Sequence, residues 1–110
     1  MGRIEAKIIV VLITAPSREV ARRIAEKLIG EKLAACVNLI PGIKSVYTWE
    51  GQLCEDEEVL LLVKTRADLF RDRLVPAVQA IHPYEVPEII ALPVMMGLKG
   101  YLDWVETATA

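Results

Sequence analysis

Apolar and polar positions change period several times along this chain of 110 residues, and each change marks an element. Lys7 to Thr14 is a run of apolar, mostly β-branched residues, which predicts a strand covered on both faces. Pro16-Ser17 then opens a helix with Ser17 as its N-cap. Val20, Ala21, Ile24, Ala25, Leu28 and Ile29 recur at helical spacing, and Gly30 stands where a C-terminal glycine ends such a run. Leu33 to Ile40 reads as the next strand. Pro41-Gly42 supplies a turn, so Ile43 to Trp49 is expected to return antiparallel. A second turn at Glu50-Gly51-Gln52 and an acidic run, Glu55-Asp56-Glu57-Glu58, precede a buried strand over Val59 to Thr65. A second helix starts near Thr65, with Ala67, Phe70, Leu74, Ala77, Val78 and Ile81 on its inner face. Pro76 removes a donor and its ring meets the carbonyl of Asp72, so this helix has to kink or restart near Val75. Pro87 to Met95 is the last strand, and Leu98, Tyr101, Leu102 and Val105 mark a short terminal helix.

The resulting order is β-α-β-β-β-α-β-α. Two β-α-β halves around one antiparallel sheet give the α+β class: a ferredoxin-like split β-α-β sandwich with an extra strand and a C-terminal helix. Without a linker, repeat or low-complexity tract, residues 1–110 form a single domain, long enough to bury a core. Thirteen basic and fifteen acidic residues leave a net charge of -2, and no Lys/Arg block offers a nucleic-acid footprint or an anionic-membrane patch. The basic start at Arg3 and Lys7 before Ile8-Ile9-Val10-Val11-Leu12-Ile13 superficially resembles a signal peptide. It is too short to span a bilayer and too β-branched, so a strand and a cytoplasmic protein are the expectation.

Candidate chemistry concentrates in Ile81-His82-Pro83-Tyr84-Glu85-Val86-Pro87-Glu88, which holds the only histidine. Each proline fixes its own φ and pushes the preceding residue out of the α region, so His82 and Val86 should both be extended. A rigid segment that presents His, Tyr and Glu suits a metal or a small polar ligand. The plainer reading is a helix stop and strand start, with His82 as a solvated cap. The acidic run reads as a solvated edge rather than a cation site, since on a strand at most two of its members point one way. Cys36 is expected to be a small core residue and Cys54 to be exposed, and the two are too few for a disulfide framework. A lone histidine with no nucleophile motif and no GxxxxGK[ST] loop argues against an enzyme.

From about Val11 to Trp104 the chain resembles the CutA1 family, the divalent-cation-tolerance proteins. The matching pieces are Thr14-Ala15-Pro16, Glu31-Lys32-Leu33-Ala34-Ala35-Cys36-Val37-Asn38, Pro41-Gly42, Tyr47-Thr48-Trp49-Glu50-Gly51, Lys64-Thr65, His82-Pro83-Tyr84 and Pro87-Glu88. Singly these are unspecific; together and in order they are specific. The resemblance implies a ferredoxin-like protomer in a tight homotrimer, with long strands pairing between subunits. It also implies a cytoplasmic protein linked to copper and other divalent ions, without an established reaction.

The family's copper site has been attributed to a cysteine just before Thr-Ala-Pro and to the His-Pro-Tyr and Pro-Glu segments. Here Ile13 stands at the thiol position and Ile81 where a second histidine can occur. The metal candidates that remain are His82, Glu85 and Glu88, which suit copper(II) or another divalent cation, weakly bound, better than copper(I). The alternative is a PII-like sensor of a small anionic ligand at an inter-subunit cleft, with Trp49, Lys64, His82 and Tyr84 as its candidates. Its trimeric build rests on likeness of fold, which alone does not assign function.

Overall fold

A computed structural model describes residues 6–110. Arg3, part of the basic start, lies outside the described residues. The apolar run becomes strand β1 (Ile8–Ala15), and Ser17 caps helix α1 (Arg18–Gly30) by accepting the Val20 N–H at 3.2 Å. Helix α1 turns Ala21, Ile24 and Leu28 into the core.

Gly30 does not supply the left-handed residue at the end of α1. That role falls to Lys32 at φ 58°, while Leu33 N–H reaches Leu28 O and Lys32 N–H reaches Ile29 O. This pair of bonds is a Schellman closure without its usual glycine.

The strands expected on either side of Pro41-Gly42 are one strand, β2 (Cys36–Trp49), so the extra strand is not a separate element. Its register with β3 (Gln52–Arg66) runs Ile40↔Leu60 and then Ile43↔Glu58, so Pro41 and Gly42 together oppose Val59. That is a bulge: it tolerates a proline without a donor, and Gly42 at φ 79° supplies the positive dihedral. The reversal comes at Glu50-Gly51, both with positive φ, as a two-residue hairpin needs. The acidic run therefore lies within β3 and not before it.

Past Arg66 the chain makes one 3₁₀ turn (Ala67–Leu69), one π-helical turn (Phe70–Leu74) and helix α2 (Val75–Gln79). Val75 N–H bonds to Phe70 O, five residues back, and this wider turn accommodates the Pro76 ring over the Asp72 carbonyl. The restart expected near Val75 is thus present. Strand β4 (Ile89–Pro93) is shorter than expected, and helix α3 (Lys99–Ala108) closes the chain.

The sheet order is β2-β3-β1-β4, with every neighbouring pair antiparallel. Strands β1 and β2 run the same way with β3 between them, which is the ferredoxin-like split β-α-β arrangement. Val11, Ile13, Leu61 and Val63 face α1 and α2 and are fully buried with Ile24, Leu28, Leu74 and Val78. The other sheet face is only partly covered in the single chain. Val10, Leu12, Leu60 and Leu62 are half-buried there, so the two-sided burial expected of β1 is one-sided. Helix α3 is tied to the far end of the sheet, where the Arg66 guanidinium donates to Thr109 Oγ1 (3.0 Å) and to Thr109 O (3.1 Å).

The ladder between β1 and β3 ends at Ala15↔Val59, whereas β2 and β3 stay paired to Trp49↔Gln52. Residues 43–58 are therefore a two-stranded arm projecting past the sheet. The arm explains a radius of gyration of 14.7 Å, against about 13 Å for an ordinary domain of this length. No helix among the described residues is long and apolar enough to cross a membrane.

Candidate functional site

The segment after α2 begins with His82, whose N–H still bonds to Val78 O (2.9 Å) before Pro83 stops the helix. Its ring turns inward and is 8% exposed, so His82 is not a solvated cap. Nε2 lies 2.7 Å from Thr14 O at the end of β1, and Nδ1 accepts the Tyr84 N–H at 3.2 Å. A carbonyl can only accept and an N–H can only donate, so the proton sits on Nε2 and the ring is neutral.

The Tyr84 ring packs against His82 at 4.8 Å between centroids, and its hydroxyl donates to Glu58 Oε2 at 2.7 Å. Burial first, and then this bond to a carboxylate, hold the Tyr84 phenol well above its ordinary range. On the arm, Tyr47 donates to Asp56, and chiefly that bond pushes the Tyr47 phenol up to about 12. The solvated-edge reading of the acidic run fails at its last member: Glu58 is only 6% exposed, because it stands where the arm leaves the sheet and meets the 82–88 segment. Strand alternation puts Asp56 and Glu58 on one face with Tyr47, and Glu55 and Glu57 on the other.

Between the arm and that segment lies a cleft of about 740 Å³, walled by Tyr47, Trp49, Glu58, Tyr84, Glu85 and Glu88. Three of its lining residues are carboxylates and none is basic. The structure thus brings Trp49, Tyr84, Glu85 and Glu88 to one cleft, with His82 behind the Tyr84 wall. It does not bring Lys64 there. Lys64 is hydrogen-bonded to Asn38, and it lies twelve residues along β3 from Gln52, the partner of Trp49, roughly 40 Å at strand rise. Among the described residues no three His, Cys, Asp or Glu side chains converge into a group able to hold a metal ion.

Sequence reasoning missed Glu58 and Tyr47. The signal was available in the period-two alternation of the acidic run once the strand frame is fixed. Cys36 is half-buried and not a core residue, because it heads edge strand β2 and meets the Tyr101 hydroxyl. Ile13 is fully buried in the core.

A family model described as CutA1 divalent ion tolerance protein matches residues 9–108. The divalent-cation tolerance protein CutA of Thermus thermophilus is 56% identical over 100 residues, covering 91% of this chain and 96% of the relative. Its solved structure superposes with a TM-score of 0.90 at 54% identity, over 94% of this chain and 99% of that one. The rice protein CutA 1, chloroplastic, is 52% identical over 92% of this chain, which spans only 56% of that longer relative. The structure of the periplasmic divalent cation tolerance protein CutA of Archaeoglobus fulgidus is 44% identical, with a TM-score of 0.90 over 94% of this chain and 99% of its own. The Thermus and Archaeoglobus relatives are named for tolerance of divalent cations, no name among the three gives a reaction, and the rice and Archaeoglobus names place those proteins in a chloroplast and a periplasm. With a match across nearly its whole length, this chain belongs to the CutA1 divalent ion tolerance family.

Proposed function

We propose that this protein is a cytoplasmic homotrimer that takes up copper(II) or another divalent cation weakly, with no catalytic turnover, in the cleft between the arm and the 82–88 segment. The observation that carries the reading is the lining: Glu58, Glu85 and Glu88 with no basic side chain. Carboxylate oxygens suit divalent ions, and without a thiolate copper(I) is a poor fit. Glu85 and Glu88 are the first donors in this reading. His82 joins them only by giving up the Tyr84 N–H or the Thr14 carbonyl, so it acts chiefly by holding the Tyr84 wall. With no three-donor group among the described residues, water or a second copy completes the coordination, and the affinity is modest. An anionic ligand finds no basic partner in this lining.

Calorimetry with copper(II) is the test. Glu85→Gln combined with Glu88→Gln should weaken binding at least tenfold. Equal affinity in wild type and the double variant would move the site elsewhere.

A further inference from the structure

A bare cation leaves most of this cleft unused. Its volume of about 740 Å³ falls within the range of sites that hold small organic molecules, roughly 300–1,000 Å³. The rings of Tyr47, Trp49 and Tyr84 give a metal ion no donor beyond the phenol oxygens, and both of those are already committed to carboxylates. Glu58 adds an independent sign. It is more than nine-tenths buried, yet among the described residues only its Oε2 is engaged, by Tyr84. No fully buried polar side-chain atom among the described residues lacks a partner, so Oε1 is open to solvent, and Glu58 lines this cleft as well as a smaller hollow beside Arg18. A buried carboxylate with one free oxygen beside aromatic faces asks for a positive charge that also carries apolar surface.

We propose that the cleft binds an organic ammonium ion, its nitrogen set between Glu58 and the faces of Trp49 and Tyr84 and its carbon chain lying along the rings. The proposal rests on the reading of this cleft as the protein's cation site, and adds the class of ligand that fills it. An ammonium carrying N–H groups uses the carboxylates, and a quaternary one uses the ring faces. Both draw on the same chemistry, a positive nitrogen bearing alkyl groups.

The test is calorimetric titration of the intact protein with choline and with putrescine, each against sodium chloride at matched ionic strength, and separately with copper(II). Saturable binding of at least one amine is expected, weakened tenfold or more in Trp49→Ala and in Glu58→Gln. Trp49 is half-exposed, so its variant should fold even if Glu58→Gln does not. Choline binding alone would assign recognition to the rings, and putrescine binding alone to the carboxylates; either supports the proposal. Amine heats no larger than those of sodium chloride, or binding unchanged in Trp49→Ala, would overturn it. Copper(II) binding without amine binding overturns this inference and leaves the divalent-cation reading intact. Amine binding without copper(II) binding does the reverse.

Discussion

His82 shows what single residues do in this protein. Its two ring nitrogens join the end of β1 to the segment after α2, one donating and one accepting. Replacing it by alanine strands the Thr14 carbonyl and the Tyr84 N–H, each worth about 1–3 kcal/mol when left unsatisfied. His82→Ala should therefore lose about 2–4 kcal/mol in denaturant unfolding; a loss below 1 kcal/mol would mean that the ring holds nothing. Tyr47 and Tyr84 report on the same cleft, and Tyr101 on helix α3 beside Cys36. All three, Tyr47, Tyr84 and Tyr101, titrate above the ordinary value of 10.0. A raised phenol pKa means that the unfolded chain gives up its proton first. The stabilisation is therefore complete below about pH 10 and is lost as pH rises through the folded values. Phenolate absorbance of the native protein should show no full step near pH 10, whereas the protein in denaturant should show one. The sequence marked the His-Pro-Tyr segment as a candidate because the only histidine directly precedes a proline. The inward turn of the ring was hidden, since nothing local says that Thr14 waits across a sheet.

Elements were legible where one period persists and illegible where a punctuating residue has two uses. Pro41-Gly42 reads as a turn, but the same pair fits a bulge, and only the partner strand decides between them. Gly30 reads as a helix stop, yet it is the last helical residue, and a Cβ there would meet nothing within 4 Å. Gly30→Ala should thus stabilise by about 0.5–1 kcal/mol through helix propensity. Lys32 carries the left-handed conformation instead, and Lys32→Gly should gain a similar amount, about 0.5–1 kcal/mol, by relieving it. Gly51 at φ 80° is the opposite case, and Gly51→Ala should cost about 1 kcal/mol by straining the hairpin. Thermal unfolding of the three variants tests the set. A destabilised Gly30→Ala or a stabilised Gly51→Ala would show that these dihedrals are misassigned. Pro76 was readable because its conflict with Asp72 is local, four residues back on the same helix.

At the scale of the whole molecule, the arm is the part that one chain does not explain. A two-stranded hairpin is marginal in water on its own. This one nevertheless projects past the sheet with Leu53 77% and Val46 62% exposed on the same face. The half-covered sheet face and exposed Ile90 and Leu92 on edge strand β4 add further unpartnered apolar surface. Length and composition fix a single core but not what covers its outside, and so the sequence reading reached the protomer's fold more completely than the shape of its site. If three copies supply the cover, unfolding is coupled to assembly. A tenfold rise in protein concentration then stabilises each trimer by about 2.7 kcal/mol, twice the 1.36 kcal/mol of one decade. Val46→Lys with Leu53→Lys makes the contrast sharp. In a lone chain both lysines would be solvated and nearly neutral for stability, whereas in the trimer they would place charge in the interface and break it. Light scattering should report a trimer for wild type and a monomer for the double variant, with only the wild-type midpoint rising with concentration. A wild-type monomer at micromolar concentration, or a double variant that assembles as well as wild type, would leave the arm without the role assigned to it.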